Sequence, residues 1–222
     1  MSKSKTKRLT TTPYIYQHHL KRACDFLLAL ILLLITSPFV IISCVLIKIE
    51  SKGSVMFTQT RIGKDCKKFT IYKLRTMKIE THDNNGRKLR DRERVTRAGK
   101  IIRKLSLDEL PQLINIIKGE MSFIGPRPLL VKYLPYYTDE EMRRHDVLPG
   151  ITGLAQINGR SFLNWEERFT FDVEYVENIS FKLDIKIILK TIYKVFSAEG
   201  TSAVRPKDMV DFDEHRNYKK LR

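Results

Sequence analysis

Cysteine is scarce in this chain of 222 residues. Its three cysteines, Cys24, Cys44 and Cys66, are odd in number, and no two of them have C-x-x-C spacing. The sequence therefore predicts neither a disulfide framework nor a zinc site, and it favours a reducing compartment. Histidine is also sparse, and the pair His18-His19 lies in a basic leader, where we expect an interfacial or solvated position rather than a metal site.

Acidic residues are outnumbered as well. The chain has 41 lysines and arginines against 25 aspartates and glutamates, which gives a formal net charge of +16. Such an excess suggests a polyanionic partner, which could be nucleic acid, an anionic membrane surface or a phosphorylated substrate. The length suits one domain with a proper core, and the sequence has no internal repeat.

Charge is absent altogether from one stretch near the N-terminus. Residues 1–22 form a basic leader without an acid, and the 22 residues from Phe26 to Ile47 carry no charge. As a straight helix this run would be about 33 Å long, enough to cross the core of a bilayer. It is too long for the apolar region of a signal peptide. A transmembrane span and a re-entrant helix, which enters and leaves by the same face, remain.

Two features favour the re-entrant helix. Ser37-Pro38 lies at the midpoint of the run, and a kink or break is expected there because proline removes a backbone hydrogen bond. The Ser37 hydroxyl can bond to the carbonyl that Pro38 leaves free. Both flanks are basic, and basic flanks are the cytoplasmic ones. We therefore predict a re-entrant membrane helix over 23–49, broken at Ser37-Pro38, although a kinked span is also compatible with the sequence.

The remainder of the chain predicts a mixture of strands and helices. SVMFTQTRIG and KFTIYKLRTM, joined by a glycine-containing turn, predict a β-hairpin, and the highly charged residues 78–100 predict a surface loop. Helices are predicted from Thr138, over 165–176 and over 183–198. In the last of these, lysines recur every fourth residue, which indicates a solvated face or an interfacial helix on anionic lipid. The polar tail from Gly200 is expected to be loose.

The stretch SLDELPQLINIIKGEMSFIGPRP, residues 106–128, concentrates the candidate chemistry. Asp108 and Glu109 stand where a helix should begin. With Asp108 as the N-cap, Pro111 falls at the third helical position, where its missing N–H costs nothing. The two carboxylates would then lie at the positive end of the helix dipole, which attracts anions. A capping box between Ser106 and Glu109 is the structural alternative.

Two arginines are candidate phosphate ligands. Arg127 lies between Pro126 and Pro128, so its guanidinium is presented from a stiff backbone and suits bidentate phosphate contact. The segment PGITGLAQINGR, residues 149–160, ends in Arg160 and has glycines that permit close backbone approach to a ligand. It lacks the G-K-[ST] ending of a P-loop and is not a G-x-G-x-x-G fingerprint.

Together these motifs resemble the bacterial sugar transferases, the monotopic phosphoglycosyl transferases that begin glycan assembly on undecaprenyl phosphate. The resemblance covers about residues 20–198, and the length is similar to that of the small, core-only members, which include a transferase of diacetylbacillosamine phosphate. The matching segments are Ser37-Pro38, IYKLRTM at 71–77, SLDELPQ at 106–112, KGEMSFIGPRP at 118–128 and HDVLPGITGLAQINGR at 145–160.

We therefore predict an α+β protein. It would be a mainly helical single domain with an N-terminal re-entrant membrane hairpin, a short β-hairpin and interfacial amphipathic helices. The basic leader at 1–22 and the membrane helix at 23–49 would precede a cytoplasmic catalytic domain at 50–198 and a polar C-terminal tail at 199–222.

The resemblance implies an enzyme on the cytoplasmic face of the bacterial inner membrane. It would transfer a sugar 1-phosphate, from a UDP-sugar with an N-acetylated amino sugar, to undecaprenyl phosphate and release UMP. By the same resemblance, Asp108 is the nucleophile that forms an aspartyl phospho-sugar, and Asp108 and Glu109 bind Mg²⁺. The basic residues that match the phosphate site and its surroundings are Arg127, Arg160, Lys73 and Arg103.

The residues themselves are compatible with this chemistry, because Mg²⁺ and arginines neutralise a diphosphate that would otherwise repel a carboxylate. This interpretation expects a membrane and no nucleic acid as partner, and it leaves the oligomeric state and the glycan pathway open. One alternative is a non-catalytic, membrane-anchored basic protein that binds anionic lipid or nucleic acid. Another is a glycosyltransferase that moves the sugar without its phosphate and releases UDP.

Overall fold

In the computed structural model, the residues described are 16, 20–83, 85–159, 162–197 and 210–220. They combine helices with short strands, as the sequence predicted. The helices are α1 Lys21–Glu50, α2 Asp91–Arg94, α3 Arg97–Lys104, α4 Gln112–Lys118, α5 Asp139–Met142, α6 Leu154–Asn158, α7 Trp165–Glu177, α8 Phe181–Phe196 and α9 Phe212–Lys220. The strands are β1 Met56–Ile62, β2 Lys68–Leu74, β3 Ser122–Ile124 and β4 Gly150–Thr152.

The apolar run forms one continuous helix, α1, which passes through Pro38. The prediction that Ser37-Pro38 breaks this helix is therefore wrong. The Ser37 hydroxyl donates a hydrogen bond of 2.8 Å to the carbonyl of Leu34, the group that would otherwise bond to the missing N–H of Pro38. This bond, which the sequence predicted, explains how the helix accommodates the proline. By length and composition α1 is able to cross a membrane.

Both ends of α1 are fastened to the rest of the molecule. Near its start, Arg22 donates hydrogen bonds of 2.5 and 2.9 Å to two carbonyls at the C-terminal end of α4. At its end, the Glu50 carboxylate accepts bonds of 2.6 and 2.7 Å from the first two N–H groups of α3. Between them Ala29 and Ile47 are buried, whereas Leu34 and Ile35 are among many exposed apolar side chains. The helix therefore lies along the domain and leaves an apolar face uncovered.

The predicted β-hairpin is confirmed. Strands β1 and β2 pair antiparallel, with Met56 opposite Leu74 and Ile62 opposite Lys68. The buried residues Phe69 and Ile71 of β2 pack in one cluster with α4 and Ala29 of α1. This packing fixes the position of β2 relative to α4. It thereby places Lys73 of β2 near the start of α4.

The predicted surface loop over 78–100 is wrong from Asp91 onward. The short helix α2 begins there, and α3 follows at Arg97, capped by the Thr96 hydroxyl, which accepts a bond of 2.9 Å from Gly99 N. The charged composition hid α3 because only one side of it turns inward, where Ile102 is buried. An N-cap threonine before a short amphipathic segment was the available signal.

Two glycines of residues 149–160, Gly150 and Gly153, lie against the backbone of Gly125. Strands β3 and β4 pair in parallel, and a Cβ atom placed on Gly150 would lie 2.2 Å from the backbone nitrogen of Gly125. No side chain fits in that space. The prediction that these glycines allow a ligand to approach is therefore replaced by a close backbone contact, which holds the loop after β3 in place.

The C-terminal half confirms the predicted helices and corrects the tail. The capped start at Thr138 and the helix α7 are present, and α8 runs over Phe181–Phe196. Lysines of α8 are exposed, and so are apolar side chains such as Leu189. The outer side of this helix is therefore amphipathic and is not covered by the domain. The expectation of a loose tail is wrong for 210–220, because α9 forms and buries Phe212 completely.

Candidate active site

Glu109 is the centre of the charged cluster that the sequence predicted. Its Oε1 atom accepts hydrogen bonds of 2.6 Å from Lys73 Nζ and of 2.6 Å from the Arg127 guanidinium. The three side chains come from β2, from the segment before α4 and from the loop after β3. They lie 18 and 36 positions apart in sequence, and the fold brings them together.

The local backbone differs from the predicted helix start. Leu107–Glu109 forms a single 3₁₀ turn, and α4 begins only after Pro111, so Asp108 is not its N-cap. The capping box of Ser106 and Glu109 is absent too, because the Glu109 side chain bonds to basic residues instead. Gly119 ends α4 in the left-handed region, with φ of 83°, as predicted.

Ser106 adopts φ of 55°, a left-handed conformation that costs a non-glycine residue on the order of 1–3 kcal/mol. It immediately precedes the turn that carries Asp108. Such strain is most common beside active sites, where the surrounding structure enforces it. Here α3 ends just before Ser106 and the 3₁₀ turn follows at once, so Ser106 joins the two.

Asp108 lies next to this cluster without entering it. Burial, and then the negative charge of Glu109, raise the pKa of Asp108, while Lys73 and Arg103 oppose that rise. Arg103 is held beside the site by a hydrogen bond of 2.7 Å from its Nε to the Thr76 hydroxyl. No side chain among the described residues donates a hydrogen bond to the Asp108 carboxylate. This carboxylate is thus a partly exposed group with a charge that its neighbours do not fully neutralise.

Glu109 has the opposite character. Burial alone would raise its pKa, but the charges of Arg127 and Lys73 outweigh burial and hold the pKa of Glu109 far below the usual range. Burial and Arg127 lower the pKa of Lys73, and Glu109 raises the pKa of Arg127. Glu109 therefore stays ionised at any ordinary pH and keeps two cations beside Asp108.

A second arginine supports the first. Arg144, which is 2% exposed, donates a hydrogen bond of 2.7 Å to the backbone carbonyl of Arg127 and bonds of 2.8 and 3.0 Å to Asp172 of α7. The sequence analysis missed this pair. The signal for it was Asp172 itself, an acid at helical spacing from the apolar Trp165 and Phe169, since a buried acid needs a partner.

The cluster opens into a cleft of about 1060 Å³, which Asp108, Glu109 and Arg127 line. Two glutamines that the sequence analysis did not single out also line it. The Nε2 atom of Gln112, and both amide atoms of Gln156, are buried and have no hydrogen-bond partner in the described part of the protein. Buried polar atoms without a partner are rare in folded proteins, so each of these atoms calls for one.

The predicted site residues thus divide into three groups. Lys73, Asp108, Glu109, Arg103 and Arg127 converge on the cleft. Ser37 and Pro38 lie on α1, and Arg160 lies outside the described residues. No group of three or more histidines, cysteines or acids that could hold a metal ion occurs in the described ranges.

A magnesium ion is still compatible with the residues present. Mg²⁺ binds through one or two carboxylates plus phosphate oxygens and water, and it needs no protein cage. The adjacent carboxylates of Asp108 and Glu109 are such donors, and the Asp108 oxygens accept no bond from any described side chain. The donor set at the cleft therefore fits a hard divalent cation that arrives with a phosphorylated ligand.

Comparison with known proteins identifies the same segments. The family model described as "Bacterial sugar transferase" matches residues 16–198. A Bacillus subtilis protein named "Uncharacterized sugar transferase EpsL" is 50% identical over 181 residues, which is 82% of this chain and 89% of that protein.

Two longer relatives are named for their reactions. The UDP-glucose:undecaprenyl-phosphate glucose-1-phosphate transferase of Escherichia coli is 42% identical over 80% of this chain. The UDP-N-acetylgalactosamine-undecaprenyl-phosphate N-acetylgalactosaminephosphotransferase of Aeromonas hydrophila is 40% identical over 82% of this chain. The chain spans 40% and 44% of these two proteins. The predictions of the family and of a transferase are confirmed, and the chain belongs to the bacterial sugar transferase family.

Proposed function

We propose that this protein transfers a sugar 1-phosphate from a UDP-sugar to undecaprenyl phosphate at the cytoplasmic face of the bacterial inner membrane, with release of UMP. The observation that carries the proposal is the pairing of Glu109 with Lys73 and Arg127 beside Asp108. It provides one carboxylate free to react and two cations for the phosphates of the donor.

The proposed reaction has two steps. In the first, an oxygen of Asp108 attacks the phosphorus that bears the sugar, and the bond from that phosphorus to the bridging oxygen of UMP breaks. UMP leaves with that oxygen, and an aspartyl phospho-sugar remains. In the second, a phosphate oxygen of undecaprenyl phosphate attacks the same phosphorus and displaces Asp108. Covalent catalysis allows one site to use a soluble donor and a lipid acceptor in turn.

The surrounding cations would neutralise the negative charge of the donor phosphates during this attack. Arg127 has 41% of its side chain exposed, so it can reach a ligand phosphate while it stays paired with Glu109. Preorganised cations of this kind stabilise the negative charge that develops on the leaving phosphate. Mg²⁺, which we propose is held by Asp108 and Glu109 together with the donor phosphates, would supply additional charge neutralisation when bound.

The cleft also has groups for the rest of the donor. We propose that the unpartnered Nε2 of Gln112 donates to hydroxyl, acylamino or uracil groups of the donor, and that the amide of Gln156 both donates to and accepts from them. We propose an N-acetylated amino sugar as the donor sugar, which the name of the Aeromonas relative supports. The Escherichia coli relative is named for glucose, so UDP-glucose is the matched comparison donor.

Membrane attachment follows from α1. A helix that crossed the bilayer would carry its two ends to opposite faces, yet Arg22 and Glu50 both bond to the same domain. We therefore propose that α1 enters the membrane from one face with its exposed apolar side and does not cross it. This arrangement holds the cleft at the membrane surface, where the phosphate of the acceptor lies.

Nucleotide release by the purified protein tests the reaction. With Mg²⁺, undecaprenyl phosphate and a panel of UDP-sugars, we expect UMP from the wild type and none from Asp108→Asn. UDP in place of UMP would show that the sugar moves without its phosphate. Substantial UMP release by a clean preparation of Asp108→Asn would refute the nucleophile assignment. Mass spectrometry of the quenched first step should detect the phospho-sugar on Asp108.

The topology needs a separate test. Single cysteines at Ser4 and Ser54, in a chain whose own three cysteines have been replaced, would be labelled with an impermeant thiol reagent in sealed vesicles. The proposal expects both positions to react from the same side. Labelling from opposite sides would show that α1 spans the membrane.

A further inference from the structure

We propose that the C-terminal helix α9 is a positioning element for Arg127, and that Phe212 is the residue through which it acts. This inference rests on the proposed function in that Arg127 there contacts the donor phosphates. The helix lies beyond residue 198, where the match to the family ends, so it is an addition to the catalytic core of this chain.

Phe212 fastens α9 to the domain. Its side chain is 0% exposed, and its ring lies 4.9 to 5.6 Å from the rings of Phe169, Trp165, Tyr137 and Tyr133. A buried phenylalanine with several edge and tilted ring contacts contributes far more than a surface residue to local stability. This one side chain joins α7 to the segment 131–137.

Polar contacts fix the register of α9 on both sides of this ring. The Trp165 indole N–H donates a bond of 3.1 Å to the carbonyl of Val210. Lys132 Nζ bonds to the carboxylates of Asp211 and Asp213, each at 2.9 Å. Farther along the helix, Arg216 forms an ion pair with Glu141. Specific hydrogen bonds and ion pairs therefore hold this segment, in addition to its apolar contacts.

Two short routes connect Phe212 to Arg127. One is the chain itself, because the 3₁₀ segment Val131–Tyr136, which carries Tyr133, begins four residues after Arg127. The other runs through Tyr137, which contacts Phe212 and accepts a bond of 3.4 Å from Arg144, and Arg144 in turn donates to the Arg127 carbonyl. Tyr133 and Trp165 also line the cleft, so α9 supports the cleft wall from behind.

Phe212→Ala in the full-length protein tests this inference. We expect a donor kcat/KM about tenfold lower than that of the wild type, since small displacements of a phosphate ligand are costly, with most of the loss in KM. Phe212→Leu should recover most of the activity. Asn217→Ala, on the exposed side of α9, is the matched control and should behave as the wild type.

A double-mutant comparison separates positioning from general destabilisation. If α9 acts through Arg127, Phe212→Ala should have little further effect on kcat/KM in an Arg127→Lys background. Additive losses would overturn the inference, as would an unchanged kcat/KM in Phe212→Ala.

Hydrogen exchange gives a readout that does not need catalysis. In Phe212→Ala the backbone amides of residues 129–137 should exchange faster than in the wild type, whereas those of α3, which packs elsewhere on the domain, should not change. Unchanged exchange over 129–137 would also overturn the inference. If Phe212→Ala does not fold, Phe212→Val, which still removes the ring but leaves a smaller cavity, carries the same comparisons. If the wild type releases no UMP, that result counts against the proposed function. The hydrogen-exchange result then decides the inference about α9.

Discussion

The guanidinium of Arg144 donates a hydrogen bond of 2.7 Å to the backbone carbonyl of Arg127, and it does so from full burial. The two arginines thus have different tasks. Arg127 turns its side chain to Glu109 and the cleft, while Arg144 holds the backbone from which Arg127 projects. Asp172 neutralises Arg144 and completes this support.

The buried pair leads to a prediction about stability. Arg144→Leu leaves the Asp172 carboxylate buried without its partner, which should cost about 3–5 kcal/mol in the free energy of unfolding. The neighbouring Arg143 pairs with Glu177 at the surface, so Arg143→Leu should cost only about 0–1 kcal/mol. Denaturant unfolding of both variants in detergent measures the difference. Equal stability of the two would contradict the assigned role of Arg144.

The pKa of Asp108 leads to a prediction about pH. The nucleophile must be ionised, and its pKa lies above that of an ordinary aspartate, so kcat/KM should fall as the pH is lowered through that raised pKa. Glu109→Gln removes a negative neighbour and should move this acid limb to lower pH. Arg103→Gln removes a positive neighbour and should move it to higher pH.

The pH profiles of the wild type and both variants, recorded as UMP release, provide the measurement. Because the two substitutions change the charge beside Asp108 in opposite senses, a shift of both limbs in the same direction would rule out Asp108 as the titrating group. At the alkaline side, Lys73 should lose its proton below the pH typical of lysine, since its pKa is lowered by burial and by Arg127.

The unpartnered amides give a prediction that separates stability from activity. Gln112→Met removes one buried amide atom, and Gln156→Met removes two, that have no hydrogen-bond partner among the described residues, so the melting temperature should stay the same or rise. The KM for the UDP-sugar should increase about tenfold, because the ligand loses a hydrogen bond.

Binding of UMP alone shows which part of the donor each glutamine contacts. A weaker UMP affinity, measured by calorimetry, would assign the glutamine to the nucleotide, and an unchanged one to the sugar. An unchanged KM for the full donor in both variants would show that neither amide binds it.

The helix through Pro38 gives a prediction about α1. Ser37→Ala leaves the carbonyl of Leu34 without a donor and should destabilise the protein by about 1 kcal/mol. In a Pro38→Ala background the backbone N–H returns, so the same substitution should have almost no effect. Thermal unfolding in lipid nanodiscs measures this cycle. Equal effects of Ser37→Ala in both backgrounds would show that the hydroxyl does not replace the missing N–H.

The sequence by itself determined the local features of this protein. The β1–β2 hairpin, the start at Thr138, helix α7 and the end of α4 at Gly119 follow from short-range patterns, in which side-chain period and capping residues fix the backbone. The bond from Ser37 to the freed carbonyl was predictable for the same reason, since it spans three residues. The motifs around Asp108 were sufficient to indicate the family.

Tertiary structure decided which charges meet. Glu109 lies 36 positions from Lys73, and Arg144 lies 28 from Asp172, and no periodicity encodes contacts at such separations. They form because β2 and α4 pack in one core cluster, while α7 packs against the turn 143–145 that carries Arg144. The start of α4 also lies beyond Asp108, where the local pattern did not place it. Tertiary packing also holds residues 210–220 of the polar tail against the domain. Burial of the Phe212 ring stabilises this contact even though the residues around it are polar.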